Sequence, residues 1–162
     1  MSCSADGRRL GFLGIAPGEG ARAFVVDSDG GAAPKAVTPE GMTSVALSPD
    51  GERVAALDGE GELRIHAVGG GVPATVARAR RGEIPVAWDS SGRALFVWDR
   101  RLPGELVRLD LASGRREVRL RIAPIDPAGV IYGQLAATPD ARHYLIRFRR
   151  ILSALTLVEG LR

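Results

Sequence analysis

The sequence predicts an all-β fold: a partial β-propeller of about four blades, each a four-stranded antiparallel meander, with the first and last blades incomplete. Three observations carry this. A turn motif recurs four times, as "SADGRRLGFL" (4–13), "SPDGERVAAL" (48–57), "DSSGRALFVW" (89–98) and "TPDARHYLIR" (138–147). Aligning Asp6, Asp50, Ser91 and Asp140 gives spacings of 44, 41 and 49 residues, a period at which units of several short strands form propellers. Between the turns lie short apolar runs bounded by Gly, Pro, Asp and Ser, with no long segment of 3.6-residue periodicity that a helical repeat would need.

The units follow in order at approximately 1–41, 42–82, 83–124 and 125–162, within one domain spanning 1–162. The first begins three residues before its turn, so it is expected to lack an innermost strand and to keep "RLGFLG", "RAFVVD" and "KAVT". Its hairpin "GIAPGEGAR" (14–22) is glycine-rich, but it has no Lys-Ser/Thr of a phosphate loop. The second unit reads "TSVALS", the turn Pro49-Asp50-Gly51, "RVAAL", the turn "DGEGE", "LRIHAV", a glycine stop at 69–71 and "PATVA". Proline presets φ at the second turn position, aspartate bonds its own backbone, and glycine accepts positive φ. The third unit repeats the pattern as "IPVAWD", "RALFVW", "ELVRLDL", the turn Ala112-Ser113-Gly114 and "REVRLRI". A connector, "IAPIDPAGVIYG" (122–133) with Pro124 and Pro127, accounts for the longest spacing. The last unit offers "GQLAA", "HYLIRF" and "ALTLVE" and no fourth strand. The expectation is the C-terminal half of a larger propeller, cut within a blade. Open blade faces and unpaired strand edges would then favour self-association.

Composition narrows the function classes. The chain has 162 residues, 45% of them hydrophobic and 25% charged, in the range of a globular domain. No apolar run reaches the ~18 residues of a membrane span, and "MSCSADGRRLGFLG" has no charged-then-apolar leader pattern. The net charge of +3 comes from 22 basic residues, of which Lys35 is the one lysine. The arginines are scattered and aromatics make up 5%, so no basic face with interleaved aromatics marks a nucleic-acid partner. With one cysteine and two histidines, Cys3, His66 and His143, the chain offers neither a disulfide framework nor a zinc ligand set. The histidines read as strand residues with satisfied hydrogen bonds. "DSDGG" (27–31) opens like a calcium loop, but its third acid and closing glutamate are missing, and it reads as a hairpin turn. No Gly-x-Ser-x-Gly elbow or kinase catalytic loop occurs. The chain is therefore read as non-enzymatic, without cofactor or metal.

"SPDGERVAAL" and "FVVDSDGGAAPKAVTPEG" resemble the bacterial TolB-type, WD-repeat-like propeller repeat. In that repeat a Ser-Pro-Asp-Gly turn leads into a strand, and an Asp-x-Asp-Gly-Gly turn leads to a short "LT"-like end. The third unit departs at Asp89-Ser90-Ser91-Gly92 and the fourth has Ala141 in place of glycine. The tail "YLIRFRRILSALTLVEGLR" is similar to the ends of bacterial serine/threonine kinases that carry such a propeller. The resemblance implies an interaction or sensing module that presents loops to a protein or small-molecule partner. The alternative it implies is an accessory propeller of a larger enzyme, a kinase before a prolyl-oligopeptidase-like hydrolase. The partner is unknown and the compartment is left open; a parent protein of this kind would be periplasmic or extracytoplasmic. Trp88 and Trp98, expected to face each other across two strands, and Arg100-Arg101 on the next loop form the candidate interaction surface. Trp and Arg are enriched at such anchors, and core packing is the competing role for the tryptophans.

Overall fold

The structure is a computed structural model that describes residues 1–101, 103–123, 126 and 128–151. It contains three four-stranded antiparallel meanders and one strand pair. The first sheet is β1 (Ser2–Cys3), β2 (Arg9–Gly14), β3 (Arg22–Asp27) and β4 (Lys35–Ala36). The second is β5 (Met42–Leu47), β6 (Arg53–Asp58), β7 (Leu63–Ala67) and β8 (Ala74–Thr75). The third is β9 (Ile84–Trp88), β10 (Ala94–Trp98), β11 (Gly104–Asp110) and β12 (Arg116–Ile122), and β13 (Val130–Ala137) pairs with β14 (Tyr144–Arg150). Among the described residues no helix is long and apolar enough to cross a membrane.

Two expectations need correction. The first sheet does have an innermost strand: Ser2 pairs with Gly11 and Cys3 with Leu10. Two residues suffice because the turn folds them back onto β2, and Ser2 Oγ accepts the Leu47 N–H of the next sheet at 2.8 Å. The connector is also shorter than expected, since "VIYG" opens β13. Pro124, Pro127 and "ALTLVE" lie outside the described residues.

The core follows from side-chain alternation along the second strand of each central sheet. In β6, Val54 and Ala56 pack toward the first sheet, with Ala23, Val25 and Leu47. Ala55 and Leu57 point the other way, against Leu95 and Val97 of β10. In β10, Phe96 and Trp98 then turn toward Leu135 of β13. A strand's side chains alternate between faces, so an uninterrupted apolar run such as "RALFVW" means a strand covered on both faces. Each sheet thus packs on its neighbours in chain order.

The recurring turn is held by one side-chain device. Ser48 Oγ accepts the Arg53 N–H at 2.9 Å and donates to the Asp50 carboxylate, which accepts the Glu52 N–H at 3.0 Å. Ser4 with Asp6 and Thr138 with Asp140 repeat it. In the third unit the roles exchange: Asp89 accepts the N–H groups of Arg93 and Ala94, and Ser91 donates to Asp89 at 2.9 Å. Successive turns are also joined to each other. The Ala5 N–H reaches Pro49 O at 2.8 Å, and the Ser90 N–H reaches Pro139 O at 3.1 Å. Pro49, at the equivalent place, has no N–H to give. At that junction the Arg53 guanidinium bonds Gly92 O at 3.1 Å instead, as Arg9 bonds Gly51 O one junction earlier.

Candidate functional site

The innermost strands β1, β5, β9 and β13 lie at the ends of their sheets and converge on a cavity of about 390 Å³. Its wall alternates apolar and small polar groups, among them Ser2, Ser44, Ile84, Pro85 and Gln134. Thr43 also lines it, but its hydroxyl is committed to Leu57 O at 3.2 Å. Arg100 is the one side chain in the wall that carries a charge. It comes from the β10–β11 loop, where its φ of 60° is a conformation that non-glycine residues seldom adopt. The loop is pinned by the Arg101 N–H, which donates to Asp99 Oδ1 at 3.1 Å. Gly104 closes it, because a β carbon there would come within 2.3 Å of Arg101 O. Arg100 is exposed and makes no ion pair among the described residues. The cavity can therefore offer the Arg100 guanidinium beside neutral hydrogen-bonding side chains, with Met1 and its amino terminus also in the wall.

The four candidate residues divide. Trp88 and Trp98 are 2% and 0% exposed and belong to different core clusters on opposite sides of the third sheet. They do not face each other: Trp88 stands opposite Leu95, and Trp98 opposite Ile84. The Trp88 indole N–H donates to Ala46 O at 2.9 Å, and the Arg53 guanidinium lies 4.7 Å from its ring centroid. Arg100 reaches the cavity wall, and Arg101 is exposed beside it. Ser44 and Gln134 were not singled out from the sequence, since small polar residues on inner strands carry no motif.

The remaining candidates take structural places. His66 is buried in β7, and burial, with Arg64 nearby, lowers its pKa and so favours the neutral ring. Among the described residues its ring makes no hydrogen bond, contrary to the expectation of a satisfied partner; the backbone N–H of His143 donates to Thr138 Oγ1 at 3.1 Å. In "DSDGG", Asp29 accepts the Gly31 N–H at 2.9 Å, Asp27 lies 3.5 Å from Arg9, and Gly30 has φ 74°.

No protein-family model matches the sequence, and a search of curated proteins gives no significant match. Solved structures do match. TolB from Acinetobacter baumannii superposes with a TM-score of 0.64 at 14% identity, over 88% of this chain and 35% of that one. The fold is a partial β-propeller. An oligogalacturonate lyase in complex with manganese follows at TM-score 0.54 and 15% identity, covering 90% of this chain and 51% of the lyase. A prolyl endopeptidase structure gives 0.53 and 18%, covering 85% and 23%. The propeller chain thus spans about a third of the TolB structure. The four sheets are its blades, and the cavity sits where their inner strands meet.

Proposed function

We propose that the chain is a non-catalytic propeller module that engages a protein or small-molecule partner at the cavity between its inner strands. The observation that carries this reading is the placement of Arg100, whose backbone is held by its loop and which is the one charged side chain in the wall, with no ion pair among the described residues. Pockets of this size with few oriented polar groups are the usual form of a binding site. Propellers serve unrelated functions, so the argument rests on the site. A photo-crosslinking residue at Gln134 should give a discrete adduct in producing cells that is lost with Arg100→Ala. The same residue at Glu117 on the outer strand β12 should give none. Equal labelling from both positions, or substrate turnover by the chain alone, would overturn the reading.

A second reading is supported by two of the fold neighbours, whose names describe enzymes and whose chains extend well beyond the matched part. In it this chain is the accessory propeller of a larger enzyme, docking or gating rather than reacting; the peptidase neighbour suits a prolyl-oligopeptidase-like hydrolase, and a bacterial serine/threonine kinase rests on the resemblance of the tail alone. Reading the gene in frame upstream of Met1 separates the two, because a kinase catalytic loop there would decide for the second.

A further inference from the structure

A different cavity, of about 250 Å³, opens beside the connection between β8 and β9. This connection, "VARARRGE" (76–83), ends in a buried ion pair. Glu83 is 2% exposed and grips Arg116 with both oxygens, while its Oε2 also accepts the Arg80 N–H at 2.8 Å. Arg116 further donates to Arg78 O at 2.9 Å, and the Gly82 N–H bonds Gly61 O at 3.0 Å. Arg78 is held at φ 61°, and its side chain lies over Gly114, where a β carbon would come within 2.8 Å of it. The backbone under the cavity is thus fixed from three sides.

Arg78, Arg80 and Arg81 line that cavity, against Glu62 as its one carboxylate. Some arginines stand beside acids, as Arg53 beside Asp50 and Arg142 beside Asp140. These three pair with no carboxylate among the described residues, and Arg81 spends only its Nε, on Glu60 O at 2.7 Å. Guanidiniums match oxyanions through paired, parallel N–H donors. Several around one small cleft fit a doubly charged group with three acceptor oxygens better than a single carboxylate. The wall holds no aromatic side chain on which a nucleobase could stack.

We propose that this cleft binds a phosphate monoester, presented as a phosphorylated side chain of a partner protein. The test titrates the full chain with a short glycine-flanked phosphoserine peptide, its unmodified counterpart, inorganic phosphate and single-stranded DNA. The phosphopeptide should bind and the unmodified peptide should not. Affinity should fall as pH drops through about 6, where the phosphate loses its second charge. R78A/R80A should weaken binding by about tenfold or more, and R149A, at an exposed arginine of β14 outside both cavities, should leave it unchanged. Circular dichroism checks the fold of each variant. Should the double alanine variant not fold, R78K, which keeps the charge but loses the fork, should still show a measurable drop. Equal binding of both peptides would overturn the proposal, as would a folded R78A/R80A variant with full affinity. Inorganic phosphate binding without the phosphopeptide would mean a free anion site instead. Tighter, steeply salt-dependent DNA binding lost in the same variant would replace the phosphopeptide with a nucleic-acid backbone.

Discussion

At the residue scale, the fold is specified by a hydrogen-bonded pair two residues apart in each turn. The exchange at Asp89 and Ser91 shows that the bond matters and its polarity does not. Asp89 also takes a bond from Arg108 at 2.6 Å, so it holds both the turn and a neighbouring strand. Asp89→Ala should cost about 1–3 kcal/mol by urea denaturation, since it leaves buried donors unpaired. The double variant Asp89→Ser with Ser91→Asp should recover the turn and only part of that loss, because Arg108 stays unpaired. Acid stability follows from the same groups. Burial alone would raise the carboxyls of Asp50 and Asp89, but bonds from Ser48 and the Glu52 N–H, and from Arg108 and Ser91, outweigh it and hold both below 3.8. Their contribution is complete above the unfolded value and is lost as pH falls through the folded one. His66 is lowered by burial from 6.5, so protons favour the unfolded chain below that pH. Stability should be flat above about pH 6.5, decline modestly below it, and fall further beneath pH 4. A urea midpoint rising from pH 7 to pH 5 would contradict this. The Ser-x-Asp-Gly turns were legible because each device is local. The reversed one read as a departure because the chain was compared by residue identity and not by donor and acceptor.

At the element scale, the central strands β6 and β10 are buried on both faces, and the outer strands β4 and β8 are two residues long. In the first two sheets these short outer strands limit the edge available for pairing with other chains, whereas β12 leaves a seven-residue edge on the third. Leu95→Ala should cost about 2–5 kcal/mol, measured by denaturation, because its cavity lies between two blades that cannot both collapse into it. Gly11 reports on the first junction: a β carbon there would sit 2.7 Å from Leu47 Cβ. Gly11→Ala should therefore lower stability by about 1–3 kcal/mol although alanine suits a strand better than glycine. The four-strand meander was readable from alternation and turn chemistry. β1 was missed because two residues carry no periodicity. The Trp88–Trp98 pairing was misread because register is set at the turn, which places Leu95 opposite Trp88 and leaves Trp98 farther along the hairpin, opposite Ile84.

At the scale of the whole molecule, the blades form an arc with apolar surface on both outer sides. Phe12 and Phe24 stack at 5.8 Å on the face of the first blade turned away from β5. Tyr144, Leu145, Phe148 and Ile151 are exposed on the last described strand and just after it. Sedimentation at rising concentration should show self-association of the isolated chain, weakened by Leu145→Glu; a monodisperse monomer at every concentration would speak against it. The candidate site was only half legible. Arg100 could be named as a loop cation, but its cavity is assembled by strands of four different blades, and no local pattern encodes that. The same holds for Arg9 and Arg53, whose bonds to the next turn span 42 and 39 residues. Amide hydrogen exchange resolved by strand tests the central claim, an arc of blades packed through alternating faces. The amides of β6 and β10 should be the last to exchange, at the rate of global unfolding, and those of β4 and β8 among the first. Exchange of β6 as fast as β4 would contradict the packing order on which the account rests.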